Sequence, residues 1–277
     1  MWSMNFDVKS ASDYRLPDLV QLLNLGFESY LVPIHFNLSQ FLTMLRKDNI
    51  DLESSRVLLA DKQLYGIALI ARRGWNSRLA AMGITTEIRG KGAGSWFMEK
   101  LIQEARERAD HKMVLEVIET NEPAVHLYTK FGFQVVRRLV SLIRMDASEG
   151  LKSELQEIDL SEAGRLILQY GLSDMPWQLS GKTIALLNPP ARAYQKGQAY
   201  VVISNPDVEH VIVWSLLVEP DAGRNDLAVD ILKSVIANHT GRTWHAPAIW
   251  PEEFGNIFEQ AGFHREELSQ WQMRLSL

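Results

Sequence analysis

The residues of this chain best suited to chemistry lie in one short stretch, where Gly90, Gly92 and Gly94 alternate with other residues just before an amphipathic segment. Glycine lets a backbone approach a ligand closely, and the first N–H groups of a helix have no partner inside that helix. A loop of this kind followed by a helix would therefore bind an anion such as a phosphate. Glycines also form ordinary turns, so a functional assignment requires a second motif.

The loop lacks two common nucleotide-binding patterns. A P-loop requires Gly-Lys-Ser/Thr, whereas Gly90-Lys91 is followed here by Gly92. A dinucleotide fingerprint requires a third glycine three positions after the second and an acidic residue about 20 positions later, and this pattern is also missing. A nucleotide-binding module is therefore disfavoured.

A second motif follows the loop, in the order Leu115-Glu116-Val117, Asn121, Ala124, Leu127-Tyr128 and Gly132-Phe133. Together with Arg89-x-x-Gly92-x-Gly94, it resembles the GNAT N-acetyltransferase superfamily. That family has a Gln/Arg-x-x-Gly-x-Gly/Ala loop followed by Leu-Glu-Val and Asn-x-x-Ala-x-x-Leu-Tyr-x-x-x-Gly-Phe. The resemblance covers about residues 83–134, and the tandem arrangement of the chain looks like that of two-domain members.

The resemblance implies acetyl-CoA as co-substrate and assigns residues to hold it. Backbone groups at the end of one strand would hold the pantetheine arm and polarise the acetyl carbonyl, at Met82, Gly83 and Ile84. Loop amides would bind the pyrophosphate, at Arg89, Gly90, Lys91, Gly92, Ala93, Gly94 and Ser95. Asn121 would contact the cofactor and also cap a helix, since the two roles are compatible.

Acetyl transfer to an amine needs a base for the amine and an acid for the departing thiolate. The resemblance implies Tyr128 as the acid, and the alternative is a tyrosine that packs a helix on the sheet. Glu116 shares a strand face with Val114 and Ile118, so an apolar setting would raise its pKa towards the range of a useful base. The alternative for Glu116 is pairing with a Lys or Arg, and Glu119 or a water chain could take the proton instead.

Composition excludes several other kinds of site. The chain has 34 acidic and 29 basic residues, a net charge of -5, which disfavours nucleic acid as a partner. It has no cysteine, so a thiol nucleophile, a thiolate metal site and a disulfide are excluded. No pair of histidines has helical metal-ligand spacing, and no apolar run approaches about 20 residues, so we expect no metal, no membrane partner and a cytoplasmic location.

A length of 277 residues predicts about two domains. We place an N-terminal catalytic domain at 1–148 and a C-terminal domain at 149–277, because a polar segment with a glycine follows a strand there. The fold class is α+β, with each half a mixed, mostly antiparallel sheet flanked by helices. Expected helices lie at 16–27, 41–45, 96–108, 123–131, 161–170, 225–238 and 254–262; expected strands lie at 55–60, 64–71, 78–85, 113–118, 133–145, 199–204 and 211–218.

The second half repeats this order of elements, which indicates an internal duplication. Aligning the two halves places Asp226 at the position of Gly92 and Phe258 at the position of Tyr128. A carboxylate would repel a pyrophosphate, and phenylalanine has no proton to give. We therefore predict a degenerate GNAT-like copy that binds no CoA.

These observations predict an enzyme that moves the acetyl group of acetyl-CoA to a primary amine of a small molecule or peptide by direct attack. The alternative is a catalytically silent CoA-binding protein with a regulatory or scaffolding role. The motifs specify the donor and not the acceptor, because acceptor sites are built from variable loops and the first helices, here about residues 27–45.

Overall fold

A computed structural model describes residues 5–28, 30–145, 153–220 and 224–277. The chain forms two compact units, one of Met1–Val136 with Gln272–Leu277 and the other of Arg137–Trp271. The predicted boundary at 148/149 lies in the segment 146–152, outside the described residues. Because the first unit includes the last residues of the chain, a fragment of 1–148 would lack part of it.

The helices and main strands of the first unit alternate in a simple chain order. They are β1 Phe6–Ser10, α1 Leu16–Gly26, α2 Leu38–Asp48, β2 Arg56–Ala60, β3 Gln63–Arg73, β4 Asn76–Ile84, α3 Ala93–Glu107, β5 Lys112–Ile118 and α4 Glu122–Lys130. Strands β1 to β4 form an antiparallel sheet in sequence order, and β5 lies parallel to β4.

The β4–β5 pairing opens early. Among the described residues, it covers only the first three residues of β4 and ends at Arg78 opposite Val114. Next to this point the β3–β4 register shifts by one residue, which leaves Ala80 as a bulge. A bulge bends its strand and increases the local twist. The last part of β4 therefore has a sheet neighbour on one side and an open gap on the other.

Local sequence explains where the helices begin and end. Pro17 lies in the first turn of α1, and Leu19, Leu22 and Leu23 form its buried stripe. Asn37 and Gln40 form a capping box at the start of α2. Gly132, with φ +88°, follows the end of α4, a conformation that costs glycine little.

The second unit follows in the chain and shares two strands, β6 and β12, with the first. Its helices and main strands are β6 Gln134–Arg144, β7 Gln156–Ile158, α5 Leu160–Tyr170, α6 Gly181–Ile184, β8 Arg192–Lys196, β9 Ala199–Ile203, β10 His210–Val218, α7 Arg224–Asn238, β11 Thr243–Pro251, α8 Gly255–Gln260 and β12 His264–Ser276. Strands β7 to β10 are antiparallel, β11 is parallel to β10, and β6 is antiparallel to β11.

The internal arrangement of the second unit repeats that of the first. Strand β10 pairs with β11 through its first three residues only, within the described part of the chain, and it has a bulge at Trp214, the same place in the strand as Ala80. Helices α8 and α4 end alike, because Phe263 N–H donates to Phe258 O as Phe133 N–H does to Tyr128 O. The predicted fold class and the tandem arrangement are confirmed.

One detail of the predicted alignment is wrong. Gly92 lies before α3, whereas Asp226 is already inside the described helix α7. Asp226 therefore does not replace Gly92, and Phe258 keeps its equivalence with Tyr128.

Each unit has its own apolar core. In the first, α1 and Phe41 of α2 pack on the sheet through Leu19, Leu23 and Ile67. In the second, Trp244 and Trp250 are fully buried, and Trp250 Nε1 donates to Val213 O at 3.1 Å. Within the described ranges, no helix combines the length and apolar composition needed to cross a bilayer.

Helix α1 approaches the end of β4 through two glycines. A Cβ atom added to Gly26 would lie 2.9 Å from both the carbonyl carbon and the Cα of Gly83. Because those atoms belong to the backbone of a paired strand, they have little freedom to move. The absence of a side chain at both positions therefore sets how closely α1 approaches the sheet.

We expect Gly26→Ala to destabilise the contact of α1 with β4 by roughly 1 to 3 kcal/mol, the usual cost of overpacking. Hydrogen exchange of the α1 amides measures this change. Gly94→Ala is the matched control, because its Cβ would meet only side-chain atoms of Ile84 and Leu127 at 3.7 Å. Equal exchange rates in the two variants would contradict the role given to Gly26.

Candidate active site

The glycine loop has the geometry of an anion site. Gly90 and Gly92 have φ values of +75° and +83°, and no atom of the described residues lies within 4 Å of a Cβ built at either. Gly92 is the N-cap of α3, and no side chain of the described chain caps it. The first N–H groups of α3, from Ala93 to Ser95, therefore lack intrahelical partners and carry the positive end of the helix dipole.

Two lysines add positive charge to this end of α3. Lys91 is exposed in the loop itself. Lys130, at the end of α4, lies with its Nζ 3.4 Å from Ser95 Oγ. Of the two, only Lys91 was predicted from the motif, because Lys130 reaches the site through the packing of α4 beside α3.

The side chain of Arg89 turns away from the loop. Its Nε donates to Ile84 O at 2.7 Å, and its Nη2 donates to Gly26 O at 2.9 Å and to Glu28 O at 3.2 Å. The guanidinium therefore joins the end of β4 to the end of α1, while the backbone of Arg89 belongs to the glycine loop. In this structure its side chain makes internal contacts.

The three residues predicted to hold the pantetheine arm differ in orientation. Thr85 N–H donates to Tyr65 O on β3 at 2.8 Å, so the alternation of an antiparallel strand directs the backbone of Gly83 to β3 as well. The same alternation directs the N–H groups of Met82 and Ile84 to the open gap. Met82 and Ile84 thus suit the predicted role, whereas Gly83 serves the approach of α1.

Asn121, Tyr30 and Tyr128 lie near one another in the first unit. The Asn121 side chain accepts from Ala124 N–H at 3.3 Å, so it caps α4 as predicted. Burial raises the pKa of Tyr30, the Asn121 side chain opposes this rise, and Tyr30 in turn raises the pKa of Tyr128. Tyr30 follows α1 in the chain and belongs to no motif, so no sequence signal singles it out.

The half-buried Tyr128 phenol is held in its neutral form. Burial raises the pKa of Tyr128 well above its ordinary value of 10, and neighbouring Tyr30 raises this pKa further. The ring also packs on Phe133, with the ring centres 5.8 Å apart. The packing interpretation of Tyr128 and a proton-donor role are therefore compatible.

The apolar setting predicted for Glu116 is wrong. Arg78 Nε and Nη2 both lie 2.8 Å from Glu116 Oε2, and the side chains are only 7% and 4% exposed. Asp48 lies on the other side of the guanidinium, with its Oδ2 3.7 Å from Arg78 Nη1. Glu116 therefore has a structural partner in Arg78, as the alternative interpretation of Glu116 expected.

A cavity of about 780 Å³ opens beside α1 and the residues that follow it. Its lining is mainly apolar, with Leu25, Pro33 and Ile34, and it includes Tyr30 and the carboxylate of Glu28. The volume lies in the range of small-molecule sites. Tyr30 borders this cavity and also contacts Asn121, so it connects the cavity with the surroundings of Tyr128.

No group of three or more His, Asp or Glu side chains placed to hold a metal ion occurs among the described residues. The groups that the site does bring together are two tyrosines, the backbone N–H groups of the glycine loop and two lysine ammonium groups.

The stretch of chain that carries these features is similar to known proteins. Residues 19–133 match the family described as Acetyltransferase (GNAT) family. Streptothricin acetyltransferase of Streptomyces lavendulae is 38% identical over 93 residues, which make up 33% of this chain and 49% of that protein. The chain therefore matches about half the length of this curated relative.

Solved structures share the fold over almost the whole chain. A GCN5-related N-acetyltransferase from Sphaerobacter thermophilus has a TM-score of 0.69 at 13% identity, covering 98% of this chain and 95% of that one. One from Kribbella flavida has a TM-score of 0.63 at 14% identity, covering 99% and 71%. A tandem GNAT protein from the clavulanic acid biosynthesis pathway has a TM-score of 0.62 at 11% identity, covering 99% and 98%.

We expect Glu116→Gln to destabilise the first unit by roughly 3 to 5 kcal/mol, because it leaves the buried Arg78 without its closest counter-ion. Hydrogen exchange of the β5 amides measures the loss, and Glu99→Gln, at an exposed position of α3, is the control. The double variant Arg78→Met with Glu116→Gln should recover much of the stability. If Glu116→Gln lowered activity at unchanged stability, the base role of Glu116 would be restored.

Proposed function

Because residues 19–133 match the GNAT acetyltransferase family, we propose that the first unit transfers the acetyl group of acetyl-CoA to a primary amine, with Tyr128 as general acid. The observation that carries this proposal is the neutral, half-buried Tyr128 phenol on α4, in a unit whose strands β4 and β5 separate after three paired residues. The last residue of α4, Lys130, contacts the start of α3. Anion site and proton donor thus occupy the same end of the unit.

The described residues fit acetyl-CoA. The amides of Gly90 and of Gly92 to Ser95, together with the ammonium groups of Lys91 and Lys130, would hold the phosphates. Space is open around Gly90 and Gly92, whereas Lys91 N–H donates to Ile88 O at 3.4 Å. The N–H groups of Met82 and Ile84, directed into the gap, would hold the pantetheine arm and polarise the acetyl carbonyl. Acetyl-CoA, when bound, supplies an acetyl thioester with a thiolate leaving group.

Tyr128 would deliver its proton to the departing sulfur. The raised pKa keeps the phenol protonated at neutral pH, so the donor form is always present. A phenol of raised pKa is also a weaker acid. The same desolvation raises the pKa of a thiol placed next to it, so the two groups stay matched for proton transfer.

Removal of the proton from the amine falls to another group than Glu116, because Glu116 neutralises Arg78. Two acceptors of that proton were expected besides Glu116, namely Glu119, which follows β5, and a water chain. In the proposed mechanism either of them passes the proton on to solvent, and the nucleophile is the neutral amine in both cases.

The acceptor is proposed to enter the cavity beside α1. An amine with an apolar body suits the lining of Leu25, Pro33 and Ile34, and the Glu28 carboxylate suits a second cationic group. The curated relative is named for acetylation of streptothricin, so streptothricin belongs in the first panel of amines to be tested. Small amines and peptide amines are the remaining members of that panel.

The second unit is proposed to bind no CoA. Asp226 adds negative charge to the first turn of α7. Phe258, fully buried, stands where Tyr128 stands in the first unit. The added charge and the missing hydroxyl both oppose a second acetyl-transfer site.

We expect Gly92→Asp to weaken acetyl-CoA binding at least about tenfold relative to Gly92→Asn, measured by calorimetry. Asp and Asn have similar shapes and both tolerate a positive φ, so the comparison isolates the repulsion between the carboxylate and the pyrophosphate. A stoichiometry of one per chain is expected for the unchanged protein. Equal acetyl-CoA affinities of the two variants would contradict the assignment of the phosphates to this loop.

We expect Tyr128→Phe to lower kcat by roughly 10² to 10⁴, the span of a positioned acid, with little change in acetyl-CoA affinity. Thiol release from acetyl-CoA with the amine panel measures the rate. Because an acid works while protonated and the pKa of Tyr128 lies above 10, loss of the Tyr128 proton should not reduce kcat between pH 8 and 10. Acetyl-CoA binding without thiol release by the unchanged protein would indicate the silent CoA-binding alternative.

A further inference from the structure

The segment that borders the cavity is attached to the rest of the first unit at both ends. We call residues 27–37, which join α1 to α2, the acceptor loop; Ser29 in it lies outside the described residues. At its far end, the Asn24 side chain bonds both backbone groups of Phe36, donating to O at 2.9 Å and accepting from N–H at 2.8 Å. At its near end, the Arg89 guanidinium binds Gly26 O and Glu28 O.

The two attachments differ in kind. Asn24 and Phe36 belong to neighbouring parts of the same region, so their bonds only shape the acceptor loop. Arg89 comes from the glycine loop, 63 residues further along the chain from Gly26. Its side chain holds the acceptor loop, and its own backbone lies in the predicted phosphate-binding segment.

The chemistry of these contacts favours arginine. The carbonyls at the end of α1 lack helical partners and carry the negative end of the helix dipole, so a cation there is favourable. Three carbonyl oxygens, of Ile84, Gly26 and Glu28, are bound by two nitrogens of one rigid fork. A lysine ammonium keeps the charge but has no planar fork to reproduce this set.

We infer that Arg89 is a positioning residue that couples the phosphate site to the acceptor loop, and this inference rests on the proposed function. A phosphate bound by the amides around Gly90 and Gly92 restrains the backbone of Arg89. The guanidinium transmits that restraint to Gly26 and Glu28, and so to Tyr30, which lies near Asn121 and Tyr128. Occupation of the phosphate site therefore orders the acceptor side, and the coupling is reciprocal.

The test is hydrogen exchange of the acceptor-loop amides, with and without acetyl-CoA, in the full-length protein and in Arg89→Lys. In the unchanged protein we expect acetyl-CoA to slow exchange of these amides at least about tenfold beyond any change in the amides of Phe97 to Ala105 in α3. In Arg89→Lys we expect this added protection to be lost, while acetyl-CoA affinity by calorimetry stays within about threefold.

The control is Arg15→Lys, the same change at the other end of α1, where Arg15 is largely exposed and pairs with the neighbouring Asp18. It should leave the acetyl-CoA effect on the acceptor loop unchanged. Should Arg89→Lys disturb exchange throughout α3, Arg89→Gln, which retains a single amide donor group, is used in its place.

The results of these experiments distinguish failure of the Arg89 coupling from failure of the proposed acetyl-transfer function. If Arg89 only stabilised the acceptor loop, Arg89→Lys would accelerate hydrogen exchange of this loop by the same factor with and without acetyl-CoA. That result would contradict the coupling. An acceptor loop unaffected by bound acetyl-CoA in the unchanged protein would overturn it too. No calorimetric binding of acetyl-CoA by the unchanged protein would instead contradict the proposed function itself.

Discussion

At the end of α1, helix and sheet meet backbone to backbone, with Gly26 against Gly83. The approach places the last carbonyls of α1 within reach of Arg89 and starts the next segment of chain beside the end of β4. Tyr30 follows four residues later and can therefore reach Asn121. Side chains at the two glycines would push α1 outward and remove each of these contacts, so the arrangement of the site depends on this packing.

The second constraint is the opening between β4 and β5, which requires both the bulge at Ala80 and the early end of the parallel pairing. The second unit has the same opening, with its bulge at Trp214. Its helix α7 nevertheless carries Asp226 in the first turn, and Phe258 is buried in its core. The two units therefore share a backbone arrangement but carry different residues at the equivalent positions. This difference illustrates why function is argued from the site and not from the fold.

Glu116 shows that the environment of a side chain cannot be predicted from the sequence of its own strand alone. The alternation of β5 correctly places Val114, Glu116 and Ile118 on one face, and from these neighbours an apolar setting follows. The neighbour that matters comes from the adjacent strand, since Arg78 is paired opposite Val114 and its guanidinium reaches Glu116. Strand periodicity contains no information about that register, so the role of the carboxylate changes from base to counter-ion.

The sequence by itself determined the features that depend on neighbours a few residues apart: the glycine loop before α3, the Asn121 cap of α4, the turn at Gly132, the duplication of elements and the position of Tyr128. Only the tertiary structure decided the position of Asp226 inside α7, the partner of Glu116, the proximity of Tyr30 to Asn121 and the direction of the Arg89 side chain. The physical reason is the distance along the chain between the residues that interact. Caps and turns are satisfied by hydrogen bonds within one or two turns of chain, whereas ion pairs and side-chain tethers join residues whose proximity exists only after the helices have packed on the sheet.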